Sequence, residues 1–146
     1  MAPLLVRLAT KADTSKLTSY EVPKAGPMPP VGNEDSKTIT QSWVWQRLGG
    51  FIRPGDCVLA DTGTATYGFP DVRFPRDVKY IAQSYWMSIG YTCPSAVGVD
   101  IALAEMHERG STQQRGRTVL AIGDGSLMLT LQEIGTMVQR RLPIVM

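Results

Sequence analysis

Apolar and polar positions alternate along this chain in two rhythms, one of helices and one of buried strands. From Thr38 to Ile52 the apolar residues Ile39, Trp43, Val44, Leu48, Phe51 and Ile52 recur at helical spacing. Ser36 or Thr38 is placed to cap that helix, and Arg53-Pro54-Gly55-Asp56 to stop it. The unbroken apolar run Cys57-Val58-Leu59-Ala60 reads as a buried strand that ends at Asp61-Thr62-Gly63-Thr64. Gly68, Pro70 and Pro75 mark residues 65–77 as a loop, and Val78 to Ala82 as a short strand after it. Ser88 to Arg109 is rich in small residues and predicts a closely packed helix, with Pro94 near its first turn. Thr118 opens a second fully apolar strand through Ile122. A helix then spans about 130–141: Thr130-Leu-Gln-Glu133 has the pattern of a capping box, and Ile134, Met137 and Val138 supply the apolar face. Pro143 to Met146 begins another strand, inside which the sequence stops.

Strands alternating with helices predict an α/β domain: an open, mostly parallel sheet flanked by helices and incomplete at its C-terminus. The domain is expected to occupy residues 38–146. Leu4, Leu5 and Leu8 predict a short helix near the N-terminus, and Pro23, Pro27, Pro29 and Pro30 give the segment before residue 38 linker composition. Residues 1–37 therefore read as a short helical tail followed by a linker.

Composition changes this picture little. The 146 residues carry 15 Lys and Arg against 13 Asp and Glu, a net charge of +2, which gives no electrostatic case for a nucleic-acid partner. No apolar run approaches membrane-spanning length, and Arg7 and Lys11 interrupt the N-terminal apolar stretch, so no membrane association and a cytoplasmic location are expected. Cys57 and Cys93 lack CxxC spacing and read as two buried, reduced thiols. His107, the one histidine, falls in the back half of a predicted helix and reads as a surface residue.

The chemistry concentrates at strand ends. In Gly123-Asp124-Gly125-Ser126 the glycines permit a sharp turn and close backbone approach, and Asp124 puts an oxygen ligand at the carboxyl edge of the sheet. Such a carboxylate beside a helix start suits a magnesium ion carrying phosphate oxygens. Met128 stands where a GxGxxG fingerprint needs its third glycine, which argues against a dinucleotide site, and no P-loop motif occurs.

Two further segments fall where the same edge needs them: Asp61-Thr-Gly-Thr-Ala-Thr-Tyr-Gly68 and Tyr85-Trp-Met-Ser-Ile-Gly90. With Gly-Asp-Gly-Ser-Leu-x-Leu-Thr-x-Gln-Glu-Ile, this ordered set resembles the C-terminal cofactor-binding domain of thiamine diphosphate-dependent pyruvate decarboxylases, the fungal type especially. The resemblance covers Thr38 to Met146 and is looser over residues 1–37, which it implies are the tail of a preceding domain plus a Pro-rich linker. It implies a thiamine diphosphate-binding fold, with Asp124 as ligand to the magnesium that holds the cofactor's diphosphate. Gly125 and Ser126 would donate to its phosphates, Thr64 would line the site, and Ile89 would be the apolar wedge that folds the cofactor. The main-chain carbonyl of Met87, with Ser88 beside it, would accept from the aminopyrimidine. The implied reaction is non-oxidative decarboxylation of a 2-oxo acid, pyruvate foremost, to an aldehyde and carbon dioxide, in a homo-oligomeric full-length enzyme.

Departures from the pattern are specific. Asp61 stands where the family commonly has Glu, Met87 where it has Gly, and Pro94 where it has a small flexible residue; Gly135 lies within the last helix. The family completes its magnesium site from an Asn-rich loop beyond the next strand, and draws a glutamate and two histidines from an N-terminal domain. The present residues match none of these, so no catalytic residue is assigned and negligible turnover is expected of the 146-residue chain alone. Two alternatives stay open: an inactive remnant that only binds or dimerises, and a related 2-oxo acid decarboxylase such as an indolepyruvate decarboxylase.

Overall fold

The computed structural model of the chain describes residues 2–11, 15 and 37–146. Helix α1 (Ala2–Lys11) forms where the N-terminal leucines predict one. The proposed linker lies largely outside the described residues, as does Ser36.

Three strands, β1 (Cys57–Ala60), β2 (Lys79–Ala82) and β3 (Thr118–Ala121), form a parallel sheet in the order β2-β1-β3. Register runs straight across it: Leu59 of β1 lies opposite Ile81 and Leu120. Val145 adds a parallel bridge to Val119, so the sequence turns back into the sheet beside β3 as its apolar end predicts. Side chains alternate between the two faces of the sheet. Val58, Ala60 and Val119 pack with Ile52, Phe69 and Val72 on one face. Leu59 and Leu120 pack with Cys93, Ala96 and Met137 on the other.

Helices cover both faces. Helix α2 (Gln41–Phe51) begins at Thr40, whose hydroxyl accepts from the Trp43 N–H at 3.3 Å. The cap is therefore two residues later than Thr38, and Ile39 stays outside the helix, exposed. Where a loop is expected, α3 (Thr64–Gly68) and a 3-10 turn (Phe69–Asp71) form instead. The reason is tertiary: Phe69 is buried against Trp45, with ring centroids 5.5 Å apart, and against Phe74 at 5.9 Å.

Helix α4 (Thr92–Glu108) starts four residues later than Ser88, because Gly90 takes a left-handed φ of 83° that ends any helix before it. After β3, a short α5 (Asp124–Met128) precedes α6 (Gln132–Gln139). The expected capping box does not form. Thr130 lies before α6, and its hydroxyl donates to the Gly90 carbonyl, 40 residues away in sequence, at 3.1 Å. Cys57 and Cys93 are free and buried. Burial pushes both thiols up, and at Cys93 this outweighs the hydrogen bond to Thr130. His107 is exposed. Among the described residues no helix is long and apolar enough to cross a membrane.

Candidate functional site

The strand order reverses between β1 and β3, because the chain leaves β1 toward β2 and returns on the other side of β1. Such a switch point opens a crevice at the carboxyl ends of the two strands. A cleft of about 230 Å³ lies there, lined by residues 61–65 after β1 and Gly123 to Ser126 after β3. It brings together Thr64, Asp124, Gly125 and Ser126, four of the residues singled out from the sequence. A larger apolar hollow of about 410 Å³, beside Trp45, Leu48, Phe51, Val119, Val145 and Met146, contains no charged group and offers no comparable chemistry.

Each wall of the cleft follows from its local sequence. Gly63, with φ of 137°, turns the chain out of β1 in a conformation that L side chains rarely adopt. The Thr66 hydroxyl, inside α3, then donates back to the Asp61 carbonyl at 2.6 Å. On the other wall, Asp124 is the first residue of α5 and exposed, and its Oδ1 accepts from the Gly125 N–H at 2.8 Å. That bond holds the carboxylate at the rim, so the Gly125 N–H is turned to Asp124. A side chain at Gly125 would meet nothing within 4 Å, which leaves the backbone there open to a ligand.

The Thr62 hydroxyl oxygen is buried on the cleft lining and has no hydrogen-bond partner among the described residues. A buried polar group of this kind normally finds one. An open glycine turn, an exposed carboxylate and an orphaned hydroxyl fit a phosphate-bearing ligand held through a cation. Asp61 lines the same cleft but is committed elsewhere: Oδ2 accepts from the Gly90 N–H (3.0 Å), and Oδ1 from the Thr92 N–H (3.3 Å) and hydroxyl (2.8 Å). Among the described residues no three His, Cys, Asp or Glu side chains gather as a metal cluster, so Asp124 is the one exposed carboxylate on the cleft.

Met87, Ser88 and Ile89 do not line the cleft. They lie on the neighbouring exposed loop, with Ile89 55% and Trp86 84% accessible. Gln83 folds the start of that loop by accepting from the Tyr85 and Trp86 N–H groups at 3.2 and 3.0 Å. Met87 has a φ of 50°, a left-handed backbone that costs a side-chain-bearing residue on the order of 1–2 kcal/mol. The position where the resemblance has glycine is therefore one whose backbone favours glycine.

At the opposite, amino edge the polar groups close on one another. Arg117 Nη2 contacts Asp56 Oδ2 at 2.6 Å, and its Nε and backbone N–H donate to Oδ1. Burial alone would raise the Asp56 carboxyl. The bonds from Arg117 and from the Arg53 N–H, with the guanidinium charge, outweigh it and hold the group below its ordinary 3.8. Asp100, buried, takes Arg115 Nη2 at 2.6 Å and the Thr118 hydroxyl at 2.9 Å.

Sequence reading missed the role of Asp61, although the strand-ending Asp was visible. Its partners lie 29 and 31 residues onward, with no local spacing to announce them.

Comparison with known proteins agrees with this geometry. Residues 61–146 match the family described as thiamine pyrophosphate enzyme, C-terminal TPP binding domain. A pyruvate decarboxylase of Aspergillus terreus is 44% identical over 111 residues, covering 75% of this chain and 18% of that protein. A pyruvate decarboxylase of Kluyveromyces lactis is 40% identical over 139 residues, and an alpha-keto-acid decarboxylase of Mycolicibacterium paratuberculosis 41% over 142, each covering 92% of this chain and 23% of the relative. The chain thus spans less than a quarter of the length of these curated relatives. With its parallel sheet and its cleft at the switch point, the chain belongs to the thiamine pyrophosphate enzyme family, as a C-terminal TPP-binding domain of pyruvate decarboxylase type.

Proposed function

We propose that this chain is the cofactor-holding part of a 2-oxo acid decarboxylase, with pyruvate as the foremost substrate, and binds thiamine diphosphate through a magnesium ion at Asp124. The observation that carries this reading is the cleft between the tips of β1 and β3, with an exposed carboxylate on one wall and an orphaned hydroxyl on the other. The relatives' names support the reaction class. Both pyruvate and alpha-keto-acid decarboxylases stand at similar identity, which favours 2-oxo acids as the substrate class.

Bound thiamine diphosphate supplies the nucleophilic carbon and the electron sink for carbon–carbon cleavage. The residues of this chain bind and orient. Asp124 would give magnesium one oxygen of the near-octahedral set it demands. Its orientation comes from the Gly125 N–H. Ser126, half-buried beside it, would donate its hydroxyl to a phosphate oxygen, and Thr64 would border the diphosphate across the cleft. Ile89, on the adjoining loop, would press its apolar side chain against the folded cofactor, with Met87 O and Ser88 on the pyrimidine side. The free, buried thiols of Cys57 and Cys93 fit a reducing, cytoplasmic setting.

Calorimetry with magnesium and thiamine diphosphate tests the reading. Asp124→Ala should weaken binding by about 100-fold, the scale of a lost charged contact, with no change in unfolding midpoint because the side chain is exposed. Equal affinity in both proteins refutes the assignment. The chain alone should release no measurable carbon dioxide from pyruvate; clear turnover would show that the residues here suffice.

The exposed Tyr85, Trp86, Ile89 and Tyr91 favour a second reading, in which this loop meets another subunit, a further copy or a full-length relative. Co-elution with an intact decarboxylase in size-exclusion chromatography would support it, and independent elution would remove it.

A further inference from the structure

We infer that Asp61 and Thr130 act as positioning residues: together they clamp the single residue Gly90 between the tip of β1 and the turn after α5 and so fix the loop carrying Met87, Ser88 and Ile89 beside the cleft. This rests on the cofactor reading proposed above. Side-chain packing does little to locate the loop, since residues 84–89 are all exposed. At Gly90 the situation changes abruptly. Its N–H donates to Asp61 Oδ2 at the end of β1, and its carbonyl accepts from the Thr130 hydroxyl beyond α5. Both backbone hydrogen-bonding groups of one residue are thereby tied, one to each side of the crevice.

The site around Gly90 leaves no slack. A Cβ there would sit 3.1 Å from the Ser126 carbonyl and 3.2 Å from Leu129 Cβ, in a backbone of positive φ. Asp61 is 1% exposed and Thr92 fully buried, so water does not compete for these bonds. The second carboxylate oxygen takes the N–H and hydroxyl of Thr92, the first residue of α4, whose preceding residue Tyr91 provides no side-chain cap. Asp61 thus serves as a cap delivered from another strand. A cap alone would stabilise α4 and nothing more. The bond to Gly90, one residue after Ile89, makes the same carboxylate set the distance between the loop and Asp124.

The two roles separate experimentally, because inorganic diphosphate lacks the aminopyrimidine that the loop would meet. Magnesium thiamine diphosphate and magnesium inorganic diphosphate are titrated calorimetrically into the chain, Asp61→Ala and Thr130→Val. Alanine removes both accepting oxygens, so the Gly90 N–H and the Thr92 N–H and hydroxyl all lose their partner. Thiamine diphosphate should bind each variant about ten-fold more weakly, while for Thr130→Val, which leaves the cleft lining intact, inorganic diphosphate stays within about two-fold. Equal losses for both ligands in Thr130→Val, or none for either, overturn the clamp. Amide hydrogen exchange on the ligand-free chain gives a readout independent of the cofactor. In Asp61→Ala the Gly90 and Thr92 amides should exchange about ten-fold faster with β1 and β3 unchanged; unaltered exchange at Gly90 overturns the inference. Should Asp61→Ala also lose sheet protection, Thr130→Val decides alone, since it removes only the partner of the Gly90 carbonyl. A wild-type chain that binds neither ligand defeats the cofactor reading, and the exchange data still judge the clamp.

Discussion

Asp61 apart, the two edges of this sheet treat polar groups in opposite ways. At the amino edge Asp56 and Arg117, and Asp100 with Arg115 and Thr118, form closed sets in which each carboxylate meets its donors. At the carboxyl edge Asp124 stands exposed, the Thr62 hydroxyl has no partner among the described residues, and Met87 holds a left-handed backbone. One edge has been completed by the fold itself. The other leaves a carboxylate exposed and a hydroxyl unmet, as the proposed cofactor site would require of the functional end of the same three strands.

Breaking the closed edge should give the largest effect. Arg117→Ala leaves the Asp56 carboxylate, 2% exposed, without its cation and should lower unfolding free energy in urea by about 3 kcal/mol. A loss below about 1 kcal/mol would mean that the pair adds nothing beyond a surface ion pair. Acid sharpens the same point. The Asp56 carboxyl is held below 3.8 in the folded chain, so its contribution is complete above that value and is lost as pH falls through the lower folded-state value. The stability gap between wild type and Arg117→Ala should therefore narrow as pH drops below 3.8, and a constant gap would contradict the linkage.

A matched pair of isosteric changes tests the contrast directly. Thr118→Val removes a donor from buried Asp100 and should cost about 1–2 kcal/mol. Thr62→Val deletes a hydroxyl that bonds to nothing described and should stabilise the ligand-free chain by up to about 1 kcal/mol. Thermal or urea unfolding that gave both the same sign would erase the distinction between the edges. The smallest effect is expected at Met87→Gly, which relieves the positive φ against glycine's greater freedom when unfolded; a gain of about 0.5 kcal/mol is predicted, and a loss would place the strain elsewhere.

How far the sequence disclosed this arrangement depended on whether the deciding contacts were local. Val58 to Ala60 and Val119 to Ala121 are apolar on both faces, so their strands and the carboxyl-edge cleft were legible from the run of residues alone. Segment 64–71 was not, because five residues of Thr-Ala-Thr-Tyr-Gly have no helical periodicity, and Trp45 packing on Phe69 decides their shape. The pattern at Thr130 had the right spacing for a capping box, yet a distant carbonyl won its hydroxyl. Asp61 was visible as a turn residue, while its three bonds to Gly90 and Thr92 depend wholly on the fold.

The seclusion of Cys57 and Cys93 opens a practical route to the exposed loop. Both thiols are shut away and kept protonated by burial, so a maleimide dye would find neither in the folded chain. Tyr85→Cys, at a side chain 95% accessible, would then be the reactive thiol, and the attached fluorophore would report on the loop beside the cleft without any need to strip the native sulfurs away.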